Sequence, residues 1–256
     1  MKVIRPKPTG RVSEYVSEIL VIEKSHLTDP FILPLYANGK PTLLFHSAKG
    51  QIKNSSRYLT LFGQTVLPET LSLNDDFILI AYFFKPYALT SLYTITAHEL
   101  TDKPINLSLL TPSISSRLQE QLLRASSTNE MISLLDNYIY GLIVKCKADT
   151  RILKYATEKI TNNPSKEILV SIQNELCITE RSFQRLFENH VGVSPNQYRR
   201  IVQFNAAFRQ LQERQFEQLS DLAYAHSYAD QSHYIRAFKE FTNLSPKQYL
   251  HYGKAD

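Results

Sequence analysis

Short apolar runs separated by turn residues dominate the first hundred residues and predict a β-rich domain. Strands are predicted at residues 15–22, 31–35, 42–46, 59–66 and 77–84. Asn38 and Gly39 lie between the second and third runs, and this dipeptide is a strong signal for a tight hairpin turn. The run at 77–84 is apolar at every position, which predicts a strand buried on both faces.

From about residue 113 the apolar residues recur with helical spacing, and they predict two antiparallel helices at about 113–146. Residues 126–128 separate the two helices, with Thr128 or Asn129 as the N-cap of the second. Such a pair would suit a dimer interface or a lid on the sheet, and ordinary packing inside the chain explains it equally well. The polar segment 145–150 then marks the boundary between domains at 1–148 and 149–256.

An internal repeat gives the C-terminal region its clearest pattern. Residues 183–198 match residues 234–249, which lie 51 positions later, with Arg, Phe, Ser, Pro, Gln and Tyr identical at six of sixteen positions. Each copy shows an apolar helix face, then Gly192 or Asn243 as a left-handed helix end. A Ser-Pro pair follows in both copies and supplies an N-cap with proline at the first helical position.

A short amphipathic helix and a turn precede each copy of the repeat, which predicts helix-turn-helix units at about 167–190 and 218–241. Thr179 and Asp230 are the expected N-caps of the second helices. Residues 196–213 read as one long helix that would hold the two units at a fixed separation. The predicted fold class is therefore α+β: a β-rich domain with a helical pair, followed by an all-α domain.

Composition and charge exclude several classes of protein. The net charge of +5 is spread over both halves, so DNA binding must be argued from where the charges lie. No apolar run is long enough to span a bilayer, and the N-terminus lacks the features of a signal peptide, which predicts a cytoplasmic protein without membrane contact. Cys146 and Cys177 have no partners at metal-ligand spacing, so no disulfide, metal site or cofactor is expected.

The segment 228–239 (YADQSHYIRAFK), followed by LSPKQY at 244–249, resembles the signature of the AraC/XylS family of bacterial transcription regulators. Residues 181–187 match the same signature in the first unit, and the resemblance covers about 150–252. Cys177 and Ser227 stand where the family usually has a turn glycine, and a residue other than glycine strains a left-handed turn. Gln173 stands where the family favours a small residue, which Ala223 supplies in the second unit, so the first unit is the less well defined.

The resemblance implies double-stranded DNA as a partner, read by the second helix of each unit in the major groove. The base-contact candidates are Arg181, Ser182, Gln184 and Arg185 in the first unit and Gln231, Ser232, His233 and Arg236 in the second. Arginine pairs with guanine and glutamine with adenine. The phosphate-contact candidates, which position without specifying sequence, are Arg199, Arg200 and Lys239. A solvated or salt-bridged polar face, for example with Glu188, is the alternative explanation.

For the N-terminal domain, the resemblance implies sensing of a small-molecule effector or dimerisation. Residues 77–110 resemble the sensor-like domain of a group of uncharacterised family members, through the runs at 84–89 and 97–102. A homodimer and RNA polymerase are the implied protein partners. A ligand pocket would be lined by aromatic residues, for which ordinary core packing is the alternative: Phe45, Phe62, Tyr82 and Phe84.

Two other functions compete with this interpretation. An enzyme in the N-terminal half is not expected, because no motif with a catalytic mechanism is present. The histidines of this half occur singly, at His26, His46 and His98, and turn positions explain the possible catalytic acids Glu69, Asp75 and Asp76 equally well. An effector-independent DNA-binding regulator, or a protein-interaction scaffold, is the second alternative to an effector-modulated regulator.

Overall fold

The computed structural model describes residues 1–52 and 55–252, and in it a β-rich part precedes a helical part. The strands are β1 (Lys2–Ile4), β2 (Val16–Lys24), β3 (Phe31–Leu35), β4 (Thr42–Ile52), β5 (Ser55–Phe62), β6 (Glu69–Leu73), β7 (Phe77–Phe84) and β8 (Ile105–Asn106). The helices are α1 (Ala88–Tyr93), α2 (Pro112–Arg124), α3 (Thr128–Lys145), α4 (Arg151–Asn162), α5 (Glu167–Glu175), α6 (Glu180–His190), α7 (Pro195–Gln212), α8 (Leu219–Ala225), α9 (Gln231–Thr242) and α10 (Pro246–Tyr252). This order confirms the predicted α+β fold class.

The sheet is antiparallel, with strand order β1-β2-β7-β4-β5-β8. The register of β4 with β5 shifts between Phe45 and Gly50. Before the shift β4 lies between β5 and β7, and after it β4 pairs with β5 and β6. Because β6 also pairs with β3, this second pair of strands folds over one face of the sheet.

Strand β7 is buried on both faces, as its continuous apolar sequence predicts. Successive side chains of a strand point to opposite faces of the sheet. Ile80 and Tyr82 therefore belong to one core, whereas Leu79 and Ala81 belong to another, and all four are at most 3 % exposed. The first core lies under helices, and the second lies between the sheet and the β3–β6 pair.

Helices α2 and α3 cover the first core. Leu122 of α2 and Leu135 and Ile139 of α3 pack with Tyr82 and its neighbours on the sheet, and their burial gives each helix its position. The N-cap of α3 is Ser127 and not the predicted Thr128 or Asn129, because the extended Ser127 hydroxyl accepts the backbone N–H of Glu130 at 3.2 Å. Helices α2 and α3 thus form the predicted lid on the sheet. A dimer interface on the outer face of these two helices remains a prediction.

The predicted hairpin between β3 and β4 is wrong. Asn38 does form a turn, since its side chain accepts the backbone N–H of Lys40 at 2.9 Å. However, both edges of residues 42–46 are occupied by β5 and β7, so β3 has no free edge there and pairs with β6 instead. Gly39, with φ of 71°, lies against Tyr198 and Ile201 of α7, so the turn contacts the helical part of the chain.

Two further strand expectations need correction. The strand expected at 59–66 is β5, which begins at Ser55 and ends at Phe62. The next residue, Gly63, meets the backbone of Leu100 so closely that a Cβ would lie 2.6 Å from the carbonyl oxygen. The short strands β1 and β6 were not predicted, since neither has a long alternating pattern.

Two aromatic cores hold the helical part together, and each includes residues of the N-terminal part. Ala37 belongs to the core of α7, α8 and α9, and Tyr87 belongs to the core of α4, α5 and α6. The predicted domain boundary near residue 148 falls between α3 and α4, and it remains a prediction. Its C-terminal limit, residue 256, lies outside the described residues.

Candidate nucleic-acid interface

Helices α5 and α6 form the first helix-turn-helix unit around a tight turn at Cys177. This residue has φ of 52°, in the left-handed region that glycine prefers. The backbone N–H of Cys177 donates to the carbonyl of Asn174 at 3.2 Å, and that of Ile178 donates to the carbonyl of Gln173 at 3.0 Å. Together these bonds form the Schellman arrangement that ends many helices.

Helices α8 and α9 form the second unit around the same turn. Ser227 has φ of 59°, and its N–H donates to the carbonyl of Tyr224 at 3.1 Å. The N–H of Tyr228 donates to the carbonyl of Ala223 at 2.9 Å. These hydrogen bonds use only backbone atoms, so they do not depend on a small side chain at position 173. The turn of the first unit is therefore as regular as that of the second, although Gln173 is half-buried there.

Side-chain caps start the helices that follow each turn. Thr179 and Asp230 accept the backbone N–H three residues later at 3.2 and 2.7 Å, which confirms the predicted N-caps of α6 and α9. Ser194 and Ser245, each followed by proline, do the same for α7 and α10 at 3.2 and 3.3 Å. These bonds satisfy backbone donors that the helix itself leaves unpaired.

The repeat in sequence is also a repeat in packing. The ring of Phe187 lies 5.9 Å from the ring of Tyr198, and the equivalent rings of Phe238 and Tyr249 are also 5.9 Å apart. Both helices α6 and α9 therefore bury the same aromatic face against the helix that follows. Their polar faces consequently point outward at matching positions.

Arg181 and Arg185 of α6 and Arg236 of α9 lie exposed on these outward faces. Among the residues that the structure describes, none forms a hydrogen bond or ion pair with any of the three guanidinium groups. Four more base-contact candidates are exposed: Ser182, Gln184, Gln231 and Ser232. Each of the two helices thus presents an unpaired arginine at the same repeat position, residues 185 and 236.

Gln184 and His233 are more restricted than the arginines. The Gln184 amide donates to the Glu188 carboxylate at 2.9 Å, so it is Gln184 and not an arginine that pairs with this acid. The half-buried ring of His233 packs edge-on against Tyr228 at 5.3 Å and accepts from the backbone N–H of Ala229 at 3.4 Å. Each of these two side chains must break its intramolecular contact before it can contact a base.

Arg199 is not placed to contact phosphate, which corrects the sequence-based expectation. Its side chain is only 5 % exposed. Its guanidinium donates to the side-chain oxygen of Asn196, to the carbonyl of Pro164 and to the amide oxygen of Gln203, at 2.9 to 3.2 Å. The pattern of apolar positions on α7 did not reveal this, because an arginine beside a buried tyrosine is normally solvated.

Arg200 and Lys239 keep access to solvent. Arg200 pairs with the Glu240 carboxylate of α9, donates to Gln197 and lies over the ring of Phe241. Its side chain remains 32 % exposed. Lys239 is exposed on α9. Their contact with phosphate therefore stays a prediction.

Comparison with known proteins agrees with this geometry. Residues 172–252 match a helix-turn-helix domain family, and residues 4–106 match a domain of unknown function (DUF6597). An uncharacterized HTH-type transcriptional regulator of Haemophilus influenzae is 26 % identical over 164 residues, 59 % of this chain and 53 % of the relative. The chain therefore spans about half the length of that relative.

Among solved structures, ToxT from Vibrio cholerae resembles the whole chain at 15 % identity. The TM-score is 0.50, and the match covers 91 % of this chain and 97 % of ToxT, which shows a shared fold. The family match and the two turns described above agree that residues 172–252 form a helix-turn-helix domain. No helix formed by the described residues is long and apolar enough to cross a membrane.

The protein also has a largely apolar cavity of about 230 Å³ between its sheet and α7. Leu44, Ala81 and Phe83 line it from the sheet, and Asn205 and Phe208 line it from α7. Of the four aromatic residues proposed for a pocket, only Phe62 lines this cavity. The other three are fully buried in the core under α2 and α3: Phe45, Tyr82 and Phe84. Successive side chains of a strand point to opposite faces, so Phe83 faces away from Tyr82 and Phe84. This alternation along β7 was the sequence signal that could have identified Phe83 as a cavity residue.

Three of the candidate groups for an enzyme make structural contacts: His46, Asp76 and His98. His46 is buried and hydrogen-bonded to the carbonyl of Ala48 at 2.7 Å, and burial lowers the pKa of its ring. Asp76 accepts the backbone N–H of Leu27 at 2.8 Å, which lowers the pKa of its carboxyl. His98 lies 3.5 Å from the carbonyl of Gly192. These three groups thus support turns and contacts between elements.

Proposed function

We propose that the protein is a sequence-specific DNA-binding transcription regulator in which both helix-turn-helix units read DNA. The observation that carries this proposal is the matched pair of exposed, unpaired arginines, Arg185 and Arg236, on two helices that follow equivalent turns and begin with equivalent N-caps. Arginine in this position reaches guanine in the major groove. One chain then contacts two successive groove segments, about one helical turn apart.

The other candidate residues contribute to the proposed DNA contact in three different ways. Arg181, Ser182, Gln231 and Ser232 complete the base-reading surface with their exposed side chains. Gln184 and His233 join it once they leave their intramolecular partners. Arg200 and Lys239 contact phosphate, and these contacts position the domain on the DNA without reading its sequence.

Selection of DNA from a random pool by the full-length protein tests the proposal. We expect a site with two sub-sites separated by about ten base pairs. Arg185→Ala should relax the sequence preference at one sub-site and Arg236→Ala at the other, each with a loss of about 1–3 kcal/mol. Arg209→Ala, an exposed charge removed from α7, is the matched control and should leave both preferences unchanged.

The opposite result identifies the second candidate function. If no sequence is enriched and both variants bind DNA as the wild type does, the paired units are not DNA readers. The repeat would then serve as a protein-interaction module. A single enriched sub-site would show that only one unit reads sequence.

We further propose that a small molecule binds the cavity between the sheet and α7 and acts as the effector. The lining is mostly aliphatic and aromatic, with Thr42 and Asn205 among its few polar groups. This favours an apolar ligand with one hydrogen-bonding group. Asn205 also donates to the carbonyl of Ala37 at 3.0 Å, so a ligand beside it would touch the contact between the two parts of the chain.

Thermal-shift screening with small apolar acids, alcohols and amides tests the effector. A ligand present at about a hundred times its dissociation constant stabilises the native state by about 2.7 kcal/mol and raises Tm by several degrees. Ala81→Leu, which fills the cavity wall, should abolish the shift while DNA binding persists. Shifts that survive this substitution would place the ligand elsewhere, and a panel without any shift favours an effector-independent regulator.

A further inference from the structure

A buried hydrogen-bond network on α7 joins the two helix-turn-helix units. It begins at Arg199, whose guanidinium donates to the carbonyl of Pro164 at 2.9 Å. Pro164 lies in the connection between α4 and α5, where the first unit begins. The same nitrogen of Arg199 donates to the amide oxygen of Gln203, one helical turn further along α7, at 3.1 Å.

Gln203 carries the network into the second unit. Its amide nitrogen donates to the carbonyls of His226 and Ser227 at 2.8 and 3.1 Å. Ser227 is the left-handed residue of the turn between α8 and α9. The ring of His226 is also bonded to Gln210 of α7 at 2.7 Å, so the linker helix holds this turn at two points.

The two turns differ in this respect. In the part of the chain that the structure describes, no side chain of α7 donates to the carbonyl groups of the Cys177 turn. The first unit is instead attached to the network through Pro164, at its entrance. Arg199 and Gln203 thus connect the start of one unit to the turn of the other.

Stability alone gives a poor account of this network. Arg199 and Gln203 are each 5 % exposed, and the oxygen atoms that accept from Arg199 are all uncharged. Burial lowers the pKa of the guanidinium, as expected where a charge loses water. A well-packed apolar side chain is often as stabilising as a buried charge, whereas directional bonds fix a specific geometry.

We infer that Arg199 and Gln203 are positioning residues that set the separation of the two recognition helices, α6 and α9. This inference rests on the proposed DNA-reading function. Two helices held at a fixed separation can meet successive major-groove segments only at one spacing of the sub-sites. Loosening the network therefore broadens the range of spacings that the protein accepts.

The test uses the full-length protein and the selected operator, with one base pair inserted between the sub-sites. We expect the insertion to weaken wild-type binding by about tenfold, since it moves and rotates one groove segment relative to the other. Arg199→Met and Gln203→Met keep side chains of similar size without the hydrogen bonds. In both variants the insertion should cost less than about threefold.

Controls separate positioning from simple destabilisation. Arg209→Met removes an exposed charge from the same helix and should keep the wild-type ratio between the two operators. A merely structural role would lower Tm and weaken binding to both operators equally, leaving their ratio unchanged. Gln203→Met retains the bonds from Arg199 to Pro164 and Asn196, so it tests the inference even if Arg199→Met does not fold.

Two outcomes overturn the inference in distinguishable ways. If both variants retain the wild-type ratio, Arg199 and Gln203 do not set the separation, and the proposed function stands. If the wild type itself selects no sequence, the proposed function fails and the inference fails with it. Equal ratio changes in the single variants and the double variant would support one shared network, because its parts act together.

Discussion

Cys177 and Ser227 show how single residues carry the helix-turn-helix geometry at a cost in conformational energy. Both adopt positive φ without being glycine, and a left-handed residue costs about 1–2 kcal/mol. The turn is retained because its backbone hydrogen bonds and the packing of the two helices determine it. The Cys177 side chain is exposed, so little packing depends on it.

Cys177→Gly should therefore stabilise the protein. The strain relieved exceeds the extra entropy that glycine gains in the unfolded chain, which leaves a net gain of about 0.5–1 kcal/mol. Denaturant unfolding measures this as a higher midpoint with an unchanged slope. Asn243→Gly is the matched control and should gain less, because asparagine tolerates the left-handed region better. A lower midpoint for Cys177→Gly would show that the thiol makes an essential contact.

At the scale of elements, Gly192 joins the end of α6 to the N-terminal part. Its carbonyl accepts from the Thr101 hydroxyl at 2.7 Å, and Thr90 donates to the carbonyl of Asn189 at 3.2 Å. A Cβ on Gly192 would lie 2.9 Å from the Thr101 oxygen and 3.0 Å from the carbonyl oxygen of Ala97. The first recognition helix is thus fitted closely against residues 90–101.

Gly192→Ala should destabilise the protein by about 2–3 kcal/mol, since the alanine is strained at φ of 99° and also crowds a backbone carbonyl. Gly10→Ala is the control: its φ is 53°, but nothing lies within 4 Å of the added Cβ. It should cost only the backbone strain, about 1–2 kcal/mol. Equal losses of unfolding free energy in the two variants, measured by chemical denaturation, would contradict this prediction. They would mean that Ala97 and Thr101 move away from the added Cβ without an energetic cost.

The ion pair between Arg200 and Glu240 links α7 to the second recognition helix. Both side chains are partly exposed, so the pair contributes at most about 1 kcal/mol to stability. In the proposed function Arg200 contacts DNA phosphate, and the ion pair occupies a cation that would otherwise be available for this contact. On that proposal, the pair reduces binding that is independent of sequence.

Glu240→Gln should strengthen binding to all DNA sequences and steepen the salt dependence by about one phosphate contact. Fluorescence anisotropy with specific and random duplexes, across a salt series, measures both quantities. Glu213→Gln, an exposed acid just after α7, is the control for the change in net charge. Unchanged non-specific affinity in Glu240→Gln, relative to that control, would exclude Arg200 as a phosphate contact.

At the scale of the whole molecule, the β-rich and helical parts share their cores. Tyr36, just after β3, packs edge-on against Phe208 of α7 at 5.7 Å and against Tyr249 of α10 at 6.5 Å. Ala37 and Tyr87 are buried in the aromatic cores of the helical part. We expect from this continuity that the two parts unfold together.

Calorimetry of the full chain should thus show a single cooperative transition. Tyr36→Ala removes an aromatic anchor between the parts and should lower stability by about 3 kcal/mol, with separation into two transitions. Tyr224→Ala, which removes an exposed tyrosine from α8, should preserve the single transition. Two transitions already present in the wild type would show that the parts fold independently.

Much of this architecture follows from local sequence signals. The apolar run of β7, the helical spacing of α2 and α3, and the Ser-Pro caps each report a short-range preference that the fold respects. The repeat identified both helix-turn-helix units, because a helix, its stop and its next start are encoded within a few residues. The exposed positions of Arg185 and Arg236 follow from the same periodicity, opposite the buried aromatic face.

Tertiary structure decided what depends on partners distant in sequence. Strand pairing placed β3 beside β6 and not β4, because β5 and β7 already occupy both edges of the first half of β4. The burial of Arg199 depends on Pro164 and Gln203, and the cavity depends on α7 lying over the sheet. The sequence by itself therefore determined the elements and their outward faces. Only the folded chain decided which edges pair, which cation is buried and where the cavity lies, since these require contacts that no local preference encodes.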